Sequence, residues 1–250
     1  MIAPSSTLVQ YTKRQRLLGH ILHLPFSYFI AFLMRYIGGY KIDNMTELRK
    51  QFKVITKNNS PLIIASNHLT FIDSTLILWA LASNFWYLFN YEFFSWNLPA
   101  GDVFKKKWYF RIVAYLGKCI FIHRDGPKEH KDEVISLARD LVKEGQVLTI
   151  FPEGRRSRTG RFDIDHITFG VGKIIQSLGE CYVLCIYIRG DKQVGHSNYP
   201  PRGSTFHPLI KLVKVKANPE NRRAYLEIGV EIANNIKELE DQYFSLKRNL

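Results

Sequence analysis

Residues 61–82 read PLIIASNHLTFIDSTLILWALA, two apolar runs joined by a short stretch, NHLTFI, that contains polar residues. The first run, residues 61–66, is short and continuous and ends in polar residues, which is typical of a buried strand. The second run, residues 73–82, spaces its apolar side chains as one face of a helix does. The stretch therefore predicts a strand, a turn and a helix in succession, which is the building unit of α/β folds.

The rest of the chain repeats this alternation. Further strands are predicted at residues 119–123, 146–151, 181–188 and 209–215, and further helices at residues 128–143, 168–178 and 220–239. Apolar strands between helices indicate a sheet whose two faces are both covered. We therefore expect an α/β fold in which a mixed, largely parallel central sheet is flanked by helices, within one domain at residues 40–250.

Composition and charge narrow the class of protein. The chain has 250 residues, 46% hydrophobic and 23% charged, which excludes a disordered, collagenous or polytopic membrane protein. Lys and Arg total 35 and Asp and Glu total 22, so the net charge is +13. This balance favours anionic partners: acidic lipid surfaces, phosphorylated substrates or nucleic acid. We expect no nucleic-acid partner, because the basic residues are scattered and no nucleic-acid-binding module is present.

The three cysteines lie in apolar runs, at Cys119, Cys181 and Cys185. In a strand, Cys181 and Cys185 would lie about 13 Å apart, whereas disulfide Cα atoms lie within about 7 Å of each other. The spacing also matches no metal-binding pattern. We therefore predict reduced, buried thiols in a protein that faces the cytosol.

The N-terminal segment, residues 1–39, has the pattern of a membrane-associating element. Residues 17–34 contain no Asp, Glu, Lys or Arg. As one straight helix they would span about 27 Å, slightly less than a hydrocarbon core of about 30 Å. Pro25 favours two short apolar helices, joined at that residue, that dip into one leaflet. A helical pair packed on the domain and a full membrane span remain alternatives.

Basic residues flank this apolar stretch on both sides. They are Lys13, Arg14 and Arg16 before it and Arg35 and Lys41 after it. Cations at both ends suit an interfacial element on an anionic leaflet. The segment is therefore expected to seat the protein on a membrane surface.

Residues 85–96 are dense in Phe, Trp and Tyr. Such a cluster is typical of a protein core. It is equally typical of the wall of an acyl-chain site, or of an aromatic belt at the level of lipid headgroups. The sequence leaves both interpretations open.

His68 and Asp73 lie in the turn between the first predicted strand and helix. They are too far apart in a strand, about 16 Å, and point about 140° apart in a helix. A strand–turn–helix passage can bring them together, and Thr70-x-x-Asp73 resembles a capping box at such a turn. A carboxylate beside an imidazole would make His68 a general base. The alternative is that Asp73 only caps the helix.

A second polar group, residues 151–158, reads FPEGRRSR and follows the strand predicted at residues 146–151. Ligands of α/β sheets gather beyond the carboxyl ends of the strands. Glu153, between the strand and the arginines, would order a cluster that binds phosphate in bidentate fashion. The alternative is a solvated basic loop.

Taken together, these blocks resemble the glycerolipid acyltransferases, the lysophospholipid and 1-acylglycerol-3-phosphate acyltransferase family. Asn67-His68 through Asp73 is similar to its His-x4-Asp block, and residues 151–157 to its Phe-Pro-Glu-Gly-x-Arg-Ser block. Residues 120–124 resemble the intervening block, which ends in a phosphate-binding Arg, here Arg124. The resemblance covers roughly residues 40–240. It departs at residues 181–186, which lack the prolines of the fourth block.

The resemblance implies the roles of the site residues. His68 and Asp73 would form the catalytic dyad. The implied substrate-binding residues are Arg124, Glu153, Gly154, Arg155, Arg156 and Ser157, supported by Asn67, Phe151 and Pro152. Neither a metal nor a cofactor is implied, and acyl-CoA or acyl-carrier protein would serve as the donor substrate.

The implied reaction moves a fatty acyl group from this thioester to the free hydroxyl of a lysophospholipid. The leading acceptor is 1-acylglycerol-3-phosphate, which gives phosphatidate, and another lysophospholipid or a lyso-aminolipid is the alternative. A non-catalytic lipid-binding protein of the membrane surface would explain the charge and the N-terminus without requiring His68 and Asp73. Either protein would be a peripheral or monotopic membrane protein with its domain facing the cytoplasm and membrane lipids as partners. The sequence predicts no oligomeric state.

Overall fold

A five-stranded sheet forms the centre of the computed structural model, which describes residues 3–58, 60–101, 107–123 and 126–248. The strands are Lys41–Ile42 (β1), Leu62–Ser66 (β2), Trp96–Asn97 (β3), Leu148–Ile150 (β4), Glu180–Tyr187 (β5), Thr205–Phe206 (β6) and Leu209–Lys216 (β7). The five run in the order β3–β4–β2–β5–β7, parallel except for β7, which is antiparallel to β5. β1 and β6 form a separate parallel pair. The predicted mixed, largely parallel sheet is confirmed.

Helices cover both faces of this sheet. They are Ser6–Ile21 (α1), His23–Phe32 (α2), Met45–Asn58 (α3), Asp73–Leu81 (α4), Asn84–Phe89 (α5), Trp108–Leu116 (α6), Lys128–Lys143 (α7), Gly170–Leu178 (α8) and Ala224–Arg248 (α9). A π-helical segment, Leu33–Ile37, continues α2. The helix predicted at residues 128–143 has these bounds, whereas α9 begins later and ends later than predicted.

The central strand β2 is buried over its whole length, and its alternate residues enter two different cores. Ile63 and Ala65 pack with α7, α8 and α9. Leu62 and Ile64 pack on the opposite face with α3, α4 and α5. Period-two alternation in a strand covered on both sides explains why the sequence run is continuously apolar. The carboxyl end of this rigid strand is where the chain turns towards α4.

The strand predicted at residues 119–123 is confirmed only in part: Ile120 N donates to the Asn97 carbonyl at 2.9 Å and Ile122 N to the Pro99 carbonyl at 3.0 Å, but no continuous ladder forms. This stretch forms only isolated parallel bridges, Asn97 to Cys119 and Ala100 to Ile122. Its neighbour Lys118 is fully buried and donates from Nζ to the carbonyls of Tyr91 and Phe94 at 2.8 and 2.9 Å. The backbone at Lys118 adopts a positive φ of 50°, which turns the chain between the end of α6 and this stretch.

The α8–α9 contact is unusually close because two glycines lie in it. A Cβ on Gly172 would overlap the carbonyl of Tyr225, and a Cβ on Gly229 would lie 2.8 Å from the Phe169 ring. The absence of both side chains lets the two helix backbones meet. α8 follows the loop that carries residues 151–158, so this contact anchors one end of that loop.

The N-terminal helices are two, as predicted, but the joint differs. The break is at Leu22, between α1 and α2, and the helix pair bends there by 70°. Pro25 lies in the first turn of α2, where a missing N–H removes no intrahelical bond. No single described helix is long and apolar enough to cross a membrane, although the bent pair passes that test of length and composition together.

One side of α1 and α2 packs on the rest of the protein. Gln15 is buried and its Nε2 donates to the carbonyls of Tyr115 and Cys119 at 2.9 and 3.1 Å. His23 is buried against Tyr87 and Phe94 of the aromatic stretch. The opposite side exposes large apolar side chains: Leu17, Leu18, Ile21, Leu22, Tyr28, Phe29, Phe32, Leu33, Tyr36 and Ile37. The N-terminal helices therefore pack on the domain with one face and expose an apolar surface with the other.

All three cysteines carry free thiols. Cys181 and Cys185 are buried in β5, and Cys119 is partly buried. Burial raises the pKa of each thiol to about 12. Such thiols carry almost no thiolate at neutral pH and are poor nucleophiles.

Candidate active site

The turn after β2 brings His68 and Asp73 into direct contact. Nδ1 of His68 lies 2.9 Å from Oδ2 of Asp73. The strand–turn–helix passage predicted for these residues is confirmed. With Nδ1 held by the carboxylate, Nε2 is the ring nitrogen left to act on a substrate, and no described residue bonds it. A partly exposed imidazole in this arrangement can act chemically as a base.

The Asp73 carboxylate receives several further hydrogen bonds. The backbone N–H groups of Leu69 and Thr70 donate to Oδ2 at 2.6 and 2.7 Å, and the Thr70 hydroxyl donates to Oδ1 at 2.5 Å. The N-cap of α4 is Ile72, without a side-chain cap. The predicted capping box is therefore formed only in part: Asp73 accepts the Thr70 N–H as in a capping box, but the Thr70 hydroxyl donates to Asp73 instead of accepting a helix N–H. The carboxylate holds the turn and His68 together.

Three residues of the second block surround His68. The Phe151 ring stacks on the imidazole, with 4.2 Å between centroids and 17° between planes. Ser157 N donates to the His68 carbonyl at 2.8 Å, and the His68 N–H donates to Glu153 Oε2 at 2.9 Å. Parallel pairing of β2 with β4 places the two blocks at the same edge of the sheet. The histidine is thus fixed by ring stacking and at both of its backbone polar groups.

Glu153 does not order the arginines. Its side chain is buried, 2% exposed, and its two oxygens accept the backbone N–H groups of His68 at 2.9 Å and Asp163 at 3.1 Å. Among the described residues no arginine forms an ion pair with it. Burial raises the pKa of Glu153 to about 8, against the effect of the two N–H donors. Through these two hydrogen bonds, Glu153 supports the backbone at His68.

Pro152 and Gly154 shape the turn that follows β4. The Pro152 carbonyl accepts the Thr168 N–H at 2.6 Å and the Thr168 hydroxyl at 2.9 Å. Gly154 has a φ of +62°, and a Cβ there would overlap Cγ2 of Thr168. Only glycine fits this turn without strain.

The two adjacent arginines have different surroundings. Arg155 is half exposed and pairs with Asp163 at 3.4 Å. Arg156 donates from Nη1 to the Ser197 carbonyl at 3.1 Å and to Asn198 Oδ1 at 2.8 Å. Desolvation lowers the pKa of Arg156 while the nearby Asp73 charge raises it. The Arg156 Cζ lies 3.7 Å from the centroid of the Phe71 ring, so the guanidinium lies beside the turn that carries His68 and Asp73.

Asn67 and Ser157 are buried and have structural partners. The Asn67 amide accepts the Ile188 N–H at 2.8 Å and donates to the Ile188 carbonyl at 3.0 Å, joining the ends of β2 and β5. The Ser157 hydroxyl lies 3.2 Å from that of Thr159. Arg124 lies outside the described residues, so its phosphate-binding role stays a prediction.

An apolar cavity of about 220 Å³ begins beside the dyad turn. Phe71 and Ile72, between His68 and Asp73, form part of its wall. The remaining wall comes from several helices and the aromatic stretch, including Phe26, Ile30, Leu78, Tyr87, Phe94, Val113 and Tyr199. The aromatic stretch therefore has mixed roles: Tyr87 and Phe94 are both core and cavity wall, while Phe85 and Phe89 are exposed.

Several residues of the site were not identified from the sequence. The sequence predicts Thr70 only as a cap, and it gives no signal for Thr168, Ser197 or Asn198. The last three belong to no block and lie far along the chain from the groups they contact. In the described part of the chain, no group of three or more His, Cys, Asp or Glu residues is arranged for a metal ion.

Comparisons with known proteins bear on this geometry. A model of the Acyltransferase family matches residues 41–189, which include both polar blocks. A Dictyostelium discoideum protein named Taffazin is 34% identical over 122 residues, which cover 49% of this chain and 40% of that protein. A 1-acyl-sn-glycerol-3-phosphate acyltransferase of Cocos nucifera is 31% identical over 110 residues, covering 42% of this chain and 30% of that protein. The matched region thus spans less than half the length of each relative.

Proposed function

The chain belongs to the Acyltransferase family of glycerolipid acyltransferases, and we propose that it transfers a fatty acyl group from an acyl thioester to the free hydroxyl of a lysophospholipid. The donor is acyl-CoA or acyl-carrier protein. The acceptor is 1-acylglycerol-3-phosphate, and the product is phosphatidate. The observation that carries the proposal is the 2.9 Å contact between His68 Nδ1 and Asp73 Oδ2 at the edge of an apolar cavity.

The dyad would act as general base and then as general acid. Nε2 of His68 takes the hydroxyl proton as the acceptor oxygen attacks the thioester carbonyl. The tetrahedral intermediate then collapses, the C–S bond breaks, and the leaving thiolate receives that proton from the imidazolium. Asp73 orients the ring and stabilises its positive charge. A positioned base of this kind contributes about 10²–10⁴-fold in rate.

Direct transfer is the form of the reaction that the surroundings favour. A thioester is already activated, so the acceptor hydroxyl can attack it without a covalent enzyme intermediate. The three thiols, whose pKa values burial raises to about 12, are poor candidates for an acyl-enzyme nucleophile. No step of this reaction requires a metal ion.

The acceptor phosphate would be bound by Arg156, with Arg124 as a second cation assigned from its sequence position. A guanidinium presents a planar fork that matches phosphate oxygens. Arg155, Gly154 and Ser157 form the turn around Arg156, and the Ser157 N–H fixes that turn to the His68 carbonyl at 2.8 Å. Through this turn, Glu153 and Ser157 would place the phosphate-binding arginine relative to the base.

The acyl chain would occupy the apolar cavity, because that cavity borders the dyad turn at Phe71 and Ile72. The apolar face of α1 and α2 would place the enzyme on the membrane, as a peripheral or monotopic protein with its catalytic domain towards the cytoplasm. Flanking cations such as Arg14 and Arg35 would favour an anionic leaflet. Membrane lipids and the acyl donor would then be its partners.

A matrix of acceptors and donors tests this proposal. Purified protein is given 1-acylglycerol-3-phosphate, other lysophospholipids and a lyso-aminolipid, each with acyl-CoA and with acyl-carrier protein. Phosphatidate formation that is absent with His68→Ala supports the proposal. If transfer occurs only to another acceptor, the proposed acceptor is wrong, but the proposed acyl-transfer reaction stands. Lipid binding without transfer to any acceptor identifies a non-catalytic lipid-binding protein and rejects the enzyme.

A further inference from the structure

Residues 190–204, between β5 and β6, form a strap that crosses the protein beside the dyad turn. Asn198 is the residue of this strap that contacts both polar blocks. Its carbonyl accepts the Phe71 N–H at 2.9 Å, and its side-chain Oδ1 accepts a hydrogen bond from Arg156 Nη1 at 2.8 Å. One residue thus joins the His-x4-Asp turn to the arginine turn.

The Arg156 guanidinium is held on one face and at one nitrogen. Its Cζ lies 3.7 Å from the centroid of the Phe71 ring, a cation–π contact. Nη1 is engaged by the Ser197 carbonyl and by Asn198. Among the described residues, no acceptor bonds Nε or Nη2. These two nitrogens are a pair of parallel donors that an anion can take in bidentate fashion.

The strap is anchored independently of the Asn198 side chain. Arg189 is buried and donates to the carbonyls of Gly160, Gln193 and Val194. Gln193 is buried as well, and its Nε2 donates to the Ser197 hydroxyl at 3.2 Å. The backbone at Asn198 is therefore fixed by groups other than its own amide, and removing that amide leaves the strap in place.

We propose that Asn198 is a positioning residue for acceptor recognition: its amide oxygen holds Arg156 on Phe71 so that Nε and Nη2 face the anionic group of the acceptor. The inference rests on the proposed function of Arg156 as the phosphate-binding group. A neutral amide restrains the guanidinium without cancelling its charge, whereas a carboxylate would form an ion pair with it and compete with the phosphate. Asparagine is suited to this position for that reason.

A double-mutant cycle tests the inference. The variants are Asn198→Ala, Arg156→Ala and the two combined, with His196→Ala as the control, an exposed residue of the same strap. For each we measure acceptor KM and kcat, and separately the equilibrium binding of 1-acylglycerol-3-phosphate and of uncharged monoacylglycerol. Thermal melting shows that each variant is folded.

Asn198→Ala should raise the KM and the dissociation constant for the phosphate-bearing lipid about three- to tenfold, the size of one net hydrogen bond. Its kcat and its binding of monoacylglycerol should stay unchanged. In the Arg156→Ala background the substitution should add nothing, because it acts through that arginine. Asn198→Asp should weaken phosphate binding more than alanine does. His196→Ala should behave as the wild type.

Multiplicative losses in the double variant would overturn the inference, and so would equal losses for charged and uncharged lipids. Failure of the proposed function would give a different result from failure of this inference. In that case the wild type transfers no acyl group, while the binding cycle still reports whether Asn198 acts through Arg156. If Arg156→Ala binds the phosphate-bearing lipid as tightly as the wild type, the role of the arginine is rejected, and that of Asn198 with it.

Discussion

The backbone N–H of His68 donates to Glu153 Oε2 at 2.9 Å, although the two residues are 85 positions apart. The carboxyl group of the second block therefore supports the histidine of the first block. Ser157 N, which donates to the His68 carbonyl at 2.8 Å, completes the attachment from the same block. The two motifs form one structural unit, so damage to either one should displace the base.

The first prediction concerns the dyad. His68→Ala should lower the rate of acyl transfer by about 10²–10⁴-fold through loss of the general base. Asp73→Asn should lower kcat as well, because the imidazolium loses its counter-charge, although the amide oxygen can still accept the Leu69 and Thr70 N–H groups. Single-turnover kinetics measure both. The double variant should be scarcely slower than His68→Ala alone, since the residues act as a unit.

A second His–Asp pair provides the control for this prediction. His166 lies 3.0 Å from Asp163, in an exposed position. His166→Ala should leave the rate within about twofold of the wild type, because exposed ion pairs contribute little. Near-normal turnover by His68→Ala would remove the proposed mechanism.

The second prediction concerns the arginines. Arg156→Ala and Arg124→Ala should raise the acceptor KM while the donor KM changes little. Arg156→Lys should also be impaired, because an ammonium cannot replace a planar fork stacked on Phe71. Initial-rate kinetics with each substrate varied in turn measure both constants. Arg139→Ala, which removes an equal charge from α7, should have no effect. An effect on donor kinetics alone contradicts the assignment.

The third prediction concerns Glu153 and pH. Burial raises its pKa from the ordinary value of 4.5 to about 8. Between these two values the native state binds more protons than the unfolded state, so the contribution of Glu153 to the free energy of unfolding falls as the pH rises. Urea denaturation of the wild type and Glu153→Gln at about pH 5 and about pH 8 should show the wild type losing stability relative to the variant.

The control for this comparison is Glu129→Gln, an exposed acid in the first turn of α7. Its stability difference from the wild type should stay flat over the same range. A flat difference for Glu153→Gln would show that Glu153 binds no more protons in the native state than in the unfolded chain.

The fourth prediction concerns Gly154. Gly154→Ala combines a positive φ with an overlap against Thr168 Cγ2 and should destabilise the protein by about 1–3 kcal/mol. Thr168→Ser removes the methyl group and keeps the hydroxyl that donates to the Pro152 carbonyl. In the double variant with Thr168→Ser, the stability lost through the overlap should be recovered, whereas the stability lost through the positive φ should not. Chemical denaturation measures all three variants, and no recovery would mean that the overlap contributes nothing.

The fifth prediction concerns the membrane. Phe29 and Phe32 are 58% and 50% exposed on the outer side of α2. Replacing both by Ser should weaken partitioning onto phosphatidylserine-containing vesicles at least about tenfold, because each aromatic contributes roughly 1.5–3 kcal/mol when buried. Vesicle co-sedimentation measures this effect. The control is Val230→Ser, at an apolar residue of α9 that is 45% exposed, and it should partition as the wild type does.

Truncation of the N-terminus is a less specific test of the same idea. Gln15, His23 and Met34 are buried against other elements, so deleting residues 13–37 would also uncover part of the core. Substitutions on the exposed face separate membrane contact from folding. If they leave partitioning unchanged, the membrane-binding surface lies elsewhere.

The sequence predicted those parts of the site that depend on neighbours in the chain. The β2–α4 unit follows from apolar periodicity, and the His68–Asp73 contact follows from the turn between its strand and its helix. The placement of residues 151–158 follows from the rule that strand carboxyl ends meet at one edge of a parallel sheet. These are local patterns combined with one rule of topology.

The parts that were missed depend on long-range packing. Glu153 was expected to face arginines, but its partners are backbone N–H groups that only the folded chain brings near. Asn198 is exposed and belongs to no motif, so nothing in its surroundings along the chain indicated a role. Residues 119–123 have the apolar composition of a strand, but they pair with residues 97–101 only through isolated bridges, and periodicity does not report how far a strand pairs with its neighbour.

Because Gly172 has no side chain, its backbone lies directly against the Tyr225 carbonyl, and nothing separates α8 from α9 at that point. The two helices should therefore open to solvent as one cooperative unit. In a native-state hydrogen-exchange experiment, the protected amides of α8 would share an opening free energy with those of α9. The loop that carries Arg156 begins after β4 and ends at α8. Any slow hydrogen exchange of its amides would therefore depend on the stability of the sheet at one end and of this helix pair at the other.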